Sequence, residues 1–453
     1  MTLFKSLLAT DLYVDNVKGS NKGTGAKEAP FKTITKALSL LKSGDTLHLI
    51  NNEGVFYEEI IDTHATNAKW GGTAEKPTVI NGHGATITGL RHFKAASWKN
   101  EGDGVFSRPL GNNAWHMDKQ GFWSGHSIVF FDDKPANFSK NKTSLIDFTY
   151  FLHKDHPKKR TKLHNTLYIK IPAGKTPDDV RVVTVGTRTN IYINRSYITV
   201  KNLKSIYAGD DAFSTGKDVK CLVFDKVQGS YCMDQGISNH GAEAIVKNST
   251  FDYNTVSGIV DVYPEAKVKY LNCVIENNGR GGVEFYSGEF SMENCIIRNN
   301  IGTGIIVNRM ANASIQNCYI EGSEKKFRGI HFGNGSLTIK NCTIYNTSEA
   351  LTSYMTKTPG EFELTTSTII NNRQNLKIAK ADNIDLSKLT FNHNIYTPSD
   401  ISVFGKNYKT KNWQMYQETT GFDTDSLMMK YEGSLPPLRS ELKIGDQIIG
   451  AEI

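Results

Sequence analysis

The chain has 453 residues, of which 38% are hydrophobic and 22% charged. This composition supplies enough apolar material for a continuous core and excludes a disordered protein. The formal charge of +7 favours an acidic partner, such as a uronate-containing polysaccharide, over nucleic acid, and no run of 18 apolar residues could span a membrane.

The N-terminal quarter predicts a strand, a short helix and the first coils of a repeat. Apolar residues at positions 34, 37, 38 and 41 share one helical face, and Gly44 follows as a stop signal. We expect residues 1–48 to hold an N-terminal strand and a helix that caps a solenoid, and residues 49–91 to form its first coils. We expect an extracellular, exported or virion-tail protein. The apolar stretch within residues 1–10 is too short for a signal peptide, so we expect that the leader was removed or that export uses another route.

From residue 92 to residue 186 the chain loses the repeat and accumulates aromatic residues, among them Trp98, Trp115 and Trp123. This segment predicts a β-rich excursion that packs against the solenoid. Much of the basic excess lies in the run His156–Lys162, which is typical of a solvated loop.

Four cysteines mark a repeat in the second half of the chain. The sequence places Asn-Cys pairs at Cys273, Cys295, Cys318 and Cys342, in steps of 22, 23 and 24 residues. A period of ~20–29 residues is typical of a solenoid coil, and the Asn, Gly and β-branched content favours all-β coils over leucine-rich repeats. We expect an inward ladder of unpaired thiols and a ladder of asparagine side chains at the bends.

A second column of apolar residues sets the register of the main coils, predicted at residues 187–398, before a C-terminal tail or cap at 399–453. Its members are Phe213, Ile237, Ile259, Val283, Ile305, Ile330, Leu351 and Leu376. Side chains alternate across a strand, so Ser238, His240, Glu284, Tyr286 and His331 should face solvent. By the same count Asp261 faces inward and is expected to be a hydrogen-bonded polar rung.

Three N-terminal segments, Leu12–Ser20, Pro30–Ile34 and Gly44–Leu47, resemble the start of the pectate-lyase-like β-helix superfamily of bacterial and phage proteins. The resemblance implies an all-β fold, a single-stranded right-handed parallel β-helix with an N-terminal capping helix and a β-rich excursion. It leaves the activity open, because this superfamily contains lyases, hydrolases, epimerases and non-catalytic spikes.

A group of acidic residues lies on two adjacent predicted coils. Asp210 and Asp211 resemble the acidic pair of polygalacturonases and the aspartates that hold calcium in some pectate lyases, although Asp234-Gln235 stands where polygalacturonases have a histidine. Asp210 and Asp234 each lie three residues before the apolar column, so they should occupy equivalent positions. Carboxylates at that spacing repel each other unless a cation lies between them. The alternatives are a calcium site at Asp210 and Asp234, an acid/base pair, or aspartates that cap a tight turn.

Further candidates form an outward band on the following coils. Glu284 and Tyr286 are candidates for catalysis. Candidates for substrate binding are Arg280, Asn308, Arg309, Arg328 and His331. An arginine beside stacked acids and a tyrosine is suited to hold a glycan carboxylate.

Three functions fit these residues, all with a polysaccharide, expected to be acidic, as the partner. A polysaccharide lyase would use His240 as the base and Tyr286 as the acid, with arginine or calcium on the uronate carboxylate. A glycoside hydrolase would divide Asp210, Asp211, Asp234 and Glu284 between acid and base. A non-catalytic glycan-binding spike or adhesin is the third. The basic charge and the outward Tyr, His and Arg favour the lyase, with its site where the excursion meets the coil edge that carries Asp210, Asp234 and His240.

Overall fold

The structure is a computed structural model, and it divides into two compact units, residues 1–234 and 235–453. It describes residues 11–52, 54–61, 70–110, 117–118, 121–122, 127–154, 165–322, 327–356, 360–380, 384–431, 443–444 and 447–451. The N-terminal segment 1–10, the basic run His156–Lys162, Trp115 and Trp123 lie outside these ranges. Within them, no helix has the length and apolar character needed to cross a membrane.

The first unit begins with short strands and one helix. These elements are β1 (Asp11–Val14), α1 (Ile34–Leu38), β2 (Thr46–Leu49), β3 (Val55–Phe56), β4 (Ile60–Ile61), β5 (Thr78–Asn81) and β6 (Thr86–Thr88). The excursion follows with β7 (Leu90–His92), β8 (Lys99–Gly102), β9 (Val105–Leu110), β10 (Met117–Asp118), β11 (Gly121–Phe122), β12 (Val129–Phe131), β13 (Lys134–Pro135), β14 (Asn137–Phe138), β15 (Thr149–Lys154), β16 (Asn165–Lys170) and β17 (Val182–Val185), with 3-10 turns at Ala95–Ser97 and Lys142–Ser144. The unit ends with β18 (Ile191–Ile193), β19 (Ile198–Ile206), β20 (Phe213–Thr215) and β21 (Leu222–Ser230).

Strands of the first unit outside the excursion pair in parallel from coil to coil. One series runs β1, β2, β5, β19 and β21, and another runs β4, β18 and β20. Helix α1 packs on β1 and β2 with Ile34 and Ala37 buried. It is shorter than the sequence predicts, because the helix ends at Leu38 with Ser39 as its C-cap, and Gly44 instead adopts positive φ in the turn before β2.

The excursion consists mainly of two antiparallel sheets that share one apolar core. The first has the order β13-β12-β17-β7, and the second has the order β14-β15-β16-β9-β8, in which the β14–β15 pairing is parallel. Leu152, Leu167, Ile169 and Trp98 contribute to the core between them. Met233, which follows β21, packs into the same core, so the excursion is anchored to the coils of its own unit.

The second unit is a stack of short parallel strands. They are β22 (Ile237–His240), β23 (Glu243–Lys247), β24 (Thr250–Asp252), β25 (Ser257–Val262), β26 (Lys267–Leu271), β27 (Val274–Glu276), β28 (Gly281–Glu293), β29 (Ile296–Arg298), β30 (Thr303–Gln316), β31 (Tyr319–Glu321), β32 (Arg328–Phe332), β33 (Ser336–Lys340), β34 (Thr343–Tyr345), β35 (Glu349–Met355), β36 (Phe362–Thr365), β37 (Thr368–Ile370), β38 (Gln374–Lys380), β39 (Leu389–Asn392), β40 (Ile395–Tyr396) and β41 (Asp400–Val403). The remaining elements are β42 (Lys406–Tyr408), α2 (Trp413–Thr420), β43 (Leu427–Met428), β44 (Lys443–Ile444) and β45 (Gln447–Ile448), with 3-10 turns at Leu386–Lys388 and Thr410–Asn412.

Each coil of the second unit contributes to three parallel sheets. The sheet that begins with β22 continues through β25, β28, β30, β32, β35, β38 and β41. Its register pairs Ile237 with Ile259, then Val283, Ile305, Ile330, Leu351 and Leu376 in turn. The predicted apolar column is therefore confirmed within this unit.

The predicted thiol ladder is also present. Cys273, Cys295, Cys318 and Cys342 precede strands that pair in sequence, all four are buried, and none forms a disulfide. Asparagines before these cysteines have φ near +50°, a conformation that asparagine tolerates better than most residues. Their side chains stack as predicted: Asn272 Nδ2 donates to Asn248 Oδ1 at 3.1 Å and Asn294 Nδ2 to Asn272 Oδ1 at 3.2 Å.

Parallel pairing extends past residue 398, where the sequence pattern fades. Strand β41 pairs with β38 and β43 pairs with β40, so a further coil belongs to the stack. The chain end also contributes to the fold, because Ile449 packs with Tyr319, Tyr345 and Ile370.

Candidate functional site

Three aspartates converge in the first unit. Asp210, Asp211 and Asp234 each offer a carboxylate oxygen that lies within 4.8 Å of the other two. Asp210 and Asp211 are buried and Asp234 is half-buried. We call these three residues the aspartate cluster.

Stacking of the coils produces this geometry. The backbone N–H of Asp234 donates to the carbonyl oxygen of Asp210 at 3.1 Å, and the N–H of Asp210 donates to that of Arg188 at 2.7 Å. Residues 188, 210 and 234 therefore occupy equivalent positions on three successive coils. The sequence-based alignment of Asp210 with Asp234 agrees with this register.

The Arg188 side chain reaches the cluster through an ion pair. Arg188 Nε lies 3.0 Å from Asp210 Oδ2, and the arginine side chain is 79% exposed while that of Asp210 is 9% exposed. The guanidinium thus compensates part of the negative charge from the solvent side. Beneath the cluster, burial and the neighbouring Asp211, Asp210 and Asp234 carboxylates raise the pKa of the Cys232 thiol, so this thiol stays neutral.

Aromatic residues connect the cluster to the excursion. The rings of Tyr207 and Tyr231 stack at 5.3 Å, and Phe130 of β12 meets Tyr207 edge-on at 5.4 Å. Tyr207 and Tyr231 lie three residues before Asp210 and Asp234, and Met233, in the excursion core, directly precedes Asp234. The excursion accordingly packs on the coil edge that leads into the cluster.

In the second unit, Glu284 is the centre of a separate group. Its side chain is 2% exposed, although alternation predicts that it faces solvent. Ser257 Oγ donates to Oε1 at 2.6 Å, Tyr286 Oη donates to Oε2 at 2.9 Å, and Arg280 Nη2 lies 3.7 Å from Oε2. Glu284 does point away from the apolar column, but neighbouring side chains cover it. We call Ser257, Arg280, Glu284 and Tyr286 the Glu284 cluster.

Tyr286 completes this cluster as a proton donor. Its side chain is 40% exposed, and burial together with Glu284 raises the pKa of its hydroxyl. The hydroxyl is therefore protonated at neutral pH. A protonated phenol beside a carboxylate can give a proton to a leaving group, the role predicted for it from the sequence.

Arg328 and His331 lie two coils further along the same sheet. Arg328 Nε is 3.0 Å from Glu349 Oε2, and Lys377 Nζ is 2.7 Å from Glu349 Oε1. His331 Nδ1 is 2.9 Å from Thr352 Oγ1, and burial and Arg328 lower the pKa of the imidazole. His331 is therefore neutral at pH 7.

The remaining predicted residues are spread over the second unit. The ring of His240, in β22, lies 6.2 Å from that of Tyr263. Asn308 is half-buried in β30, and Arg309 follows it in the same strand. The sequence-predicted residues thus form distinct groups in the two units: the aspartate cluster in the first, and the Glu284 cluster, the Arg328–Glu349 pair and His240 in the second.

Residues 235–395 match the family model described as the right handed beta helix region. With the parallel coils described above, this match decides the fold. The chain is a right-handed parallel β-helix. Residues 17–64 match a second family, described as a protein of unknown function (DUF1565), and no curated protein matches the sequence.

Several solved structures resemble this β-helix. A complex of XylC with xylose aligns at a TM-score of 0.52 and 13% identity, over 92% of this chain and 86% of that one. A glycoside hydrolase aligns at a TM-score of 0.52 and 11% identity, over 88% and 95%. The pectate lyase Pel9A aligns at a TM-score of 0.44 and 11% identity, over 88% and 79%. At these identities the likeness concerns the fold alone, and it agrees with the β-helix that the resemblance implied.

Two features of the β-helix escaped the sequence analysis. Arg188 lies 22 residues before Asp210, a full coil period, and this spacing could have identified it. Glu349 shares its register position with Arg328 one coil earlier, and the pairing Arg328 with Glu349 follows from the spacing of the apolar column.

Proposed function

We propose that this β-helix cleaves an acidic polysaccharide by β-elimination and that the aspartate cluster holds a divalent cation, calcium by its ligand chemistry. The observation that carries the proposal is the convergence of three carboxylate oxygens within 4.8 Å. Oxygen ligands of one calcium ion lie ~2.4 Å from the metal, so two of them are at most ~4.8 Å apart. The donor set, oxygen only and negatively charged, fits this ion.

The spacing of the three carboxylates is less suitable for an acid/base pair. In glycoside hydrolases the two carboxyl groups stand ~5–5.5 Å apart in retaining enzymes and ~6.5–9.5 Å apart in inverting ones. A third carboxylate within the same 4.8 Å adds repulsion that catalysis by two carboxyl groups does not require. Arg188 forms an ion pair with Asp210 and compensates part of this charge.

The chemistry follows from a substrate carboxylate placed at this cluster. When bound, the cation would neutralise a uronate carboxylate and make the adjacent ring hydrogen more acidic. A base removes that proton, and the electron pair of the broken C–H bond forms the ring double bond. The bond to the glycosidic oxygen then breaks, and the leaving oxygen takes up a proton. Arg188, largely exposed, keeps N–H groups available for a second carboxylate of the polymer.

His240 and Tyr286, which belong to the second unit, stay sequence-based predictions for a base and an acid. Each is tested by its own variant, His240→Gln and Tyr286→Phe, which remove proton transfer while keeping much of the side-chain shape. If both variants keep the wild-type rate, proton transfer must be assigned to other residues.

A glycoside hydrolase is the second candidate, and the Glu284 cluster is the observation that favours it. A buried carboxylate, hydrogen-bonded by Ser257 and by a protonated Tyr286, places an acid and a base side by side at a partly exposed position. Hydrolysis would produce new reducing ends without an unsaturated sugar.

The decisive assay follows products from a panel of uronate polymers. We expect the ultraviolet absorbance of an unsaturated product, its loss on chelation and its return with added calcium. Asp234→Asn should lower the rate by a factor on the order of 10², partly recovered at high calcium. The exposed Asp218, with φ of +60°, provides the control Asp218→Asn, which should keep the wild-type rate.

Two outcomes would replace the proposal. New reducing ends without absorbance would assign the hydrolase, and polymer binding without any product would assign the adhesin. If the absorbance still appears in the presence of a chelator, the cation site would be rejected and the lyase reaction would be retained.

A further inference from the structure

The solvent side of the five-stranded excursion sheet carries an unusual group of side chains. Register places Lys99 beside Ser107, Ser107 beside Tyr168, and Tyr168 beside Phe151, on adjacent strands β8, β9, β16 and β15. Their neighbours in sequence, such as Leu167 and Leu152, are buried in the core. Because faces alternate along each strand, the row from Lys99 to Phe151 lies on the opposite side.

An antiparallel sheet usually presents polar residues on its solvent side, so aromatic rings there call for an explanation. Tyr168 and Phe151 are half-buried, with ring centroids 6.2 Å apart and planes inclined by 26°. Such rings offer flat faces on which sugar rings can stack.

A cavity of about 540 Å³ opens at this face, and its lining includes Trp98, Lys99, Glu101, Arg108 and Tyr168. Its volume is in the range of small-ligand sites, ~300–1,000 Å³. The indole N–H of Trp98 donates to the carbonyl oxygen of Phe93 at 3.2 Å, which fixes that ring in the wall.

The charges around the cavity are mainly positive. Lys99 Nζ lies 2.9 Å and Lys142 Nζ 3.5 Å from the Glu101 carboxylate, and Lys142 Nζ also lies 4.5 Å from the Tyr168 ring centroid. Hydrogen bonds from Lys99 and Ser107 lower the pKa of Glu101 to about 2, so it is ionised. Among the described residues at this face, these two lysines oppose one carboxylate.

Arg108 also lines the cavity and packs against two aromatic rings. Its guanidinium carbon lies 3.2 Å from the Phe93 ring centroid and 5.5 Å from that of Trp98. Burial lowers the pKa of Arg108 to about 10, which leaves it charged at neutral pH. Its Nη1 is buried and has no hydrogen-bonding partner among the residues that the structure describes.

We propose that this face of the excursion is a second, non-catalytic binding site for an acidic oligosaccharide, with sugar rings on Tyr168 and a sugar carboxylate at Lys99 and Lys142. The site is separate from the aspartate cluster and requires no metal. It would keep an acidic polymer attached to the protein independently of cleavage.

The test is calorimetric titration of the full chain with a galacturonate trisaccharide and its carboxyl-reduced, neutral counterpart, in the presence of a chelator. We expect binding of the acidic sugar only, weakened on the order of tenfold in Lys99→Gln/Lys142→Gln, because two charge-assisted contacts are lost. The matched pair Lys134→Gln/Lys140→Gln, two exposed lysines of the excursion, should bind like wild type. Tyr168→Ala should weaken binding without changing the charge.

Thermal unfolding of each variant confirms that it is folded before titration. Three results would overturn the proposal. They are equal affinity of the wild type for the acidic and the neutral sugar, equal loss of affinity in the control pair and in Lys99→Gln/Lys142→Gln, and no binding of the acidic sugar by the wild type. Asp234→Asn should retain this binding, so the second site and the proposed lyase reaction can fail separately.

Discussion

Asp261 shows how strongly burial acts on a single residue in this fold. It is fully buried, and the hydroxyl of Tyr270 donates to both carboxyl oxygens at 2.9 Å. Burial raises the pKa of Asp261 to about 8, against the opposing effect of the Tyr270 hydrogen bond. At neutral pH the folded chain therefore holds a proton here that the unfolded chain releases.

This proton makes stability depend on pH. The folded pKa is about 8 and the unfolded one is near the ordinary aspartate value of 3.8, so the contribution is complete below pH ~4 and is lost as pH rises to ~8. Asp261→Asn should resemble the protonated form and flatten that part of the profile. Asn239 occupies the same register position one strand earlier.

The measurement is thermal unfolding from pH 4 to pH 9. The variant should gain stability relative to wild type with rising pH, whereas exposed Asp218→Asn should keep the wild-type slope. A parallel decline of wild type and Asp261→Asn would show that Asp261 does not titrate in this range.

Single residues were predictable where the period decides their direction. The inward position of Asp261 and the alignment of Asp210 with Asp234 both follow from counting along coils. The burial of Glu284 does not, because it depends on Ser257 and Tyr286, which approach it from a neighbouring strand and from its own. Alternation gives the direction of a side chain but not what covers it.

At the scale of elements, a buried asparagine ladder stabilises the bends of the second unit. Asn278 Oδ1 accepts from the backbone N–H and the Nδ2 of Asn254, each at 3.0 Å, while its own Nδ2 donates to Asn300 Oδ1 at 2.9 Å and to the carbonyl oxygen of Phe251 at 3.0 Å. All three asparagines are fully buried. The ladder therefore satisfies backbone groups that water cannot reach.

Removal of one rung should be costly. Asn278→Ala removes the buried hydrogen bonds to the Asn254 amide groups and to the Phe251 carbonyl, so we expect a loss on the order of 2–5 kcal/mol and a clear fall in Tm. Asn294→Gly, in the exposed ladder, keeps a positive φ of 54° accessible and should cost much less, since solvent replaces the lost bonds. Thermal unfolding of both variants gives the comparison, and equal losses would contradict the role of the buried ladder.

The sequence predicted the elements whose residues repeat. Cysteine steps of 22 to 24 residues located three successive coil-to-coil contacts, which the structure confirms. It missed the last coil, because β41 and β43 lack the Asn-Cys pair and are separated by helix α2. Asp423, which links this region through hydrogen bonds from Tyr396 and Tyr416, has no equivalent in the repeat.

At the scale of the whole molecule, the stacked coils form a regular scaffold. Specificity depends on the side chains and on the excursion that this scaffold carries. The first unit combines coils with the two-sheet excursion and carries the aspartate cluster. The second unit consists largely of coils and carries the Glu284 cluster. The fold was predictable from periodicity and the three aspartates from their positions on adjacent coils, but Arg188 lies outside the strands, where the repeat imposes no residue type.

The central claim, that the aspartate cluster holds a divalent cation, is tested most directly by calcium titration of the chelator-treated chain in a calorimeter. We expect one calcium site per chain, which Asp210→Asn and Asp234→Asn each weaken on the order of tenfold or more, since each removes a charged ligand, while Asp218→Asn leaves it unchanged. No calcium binding by the wild type, or equal binding by all four proteins, would contradict it.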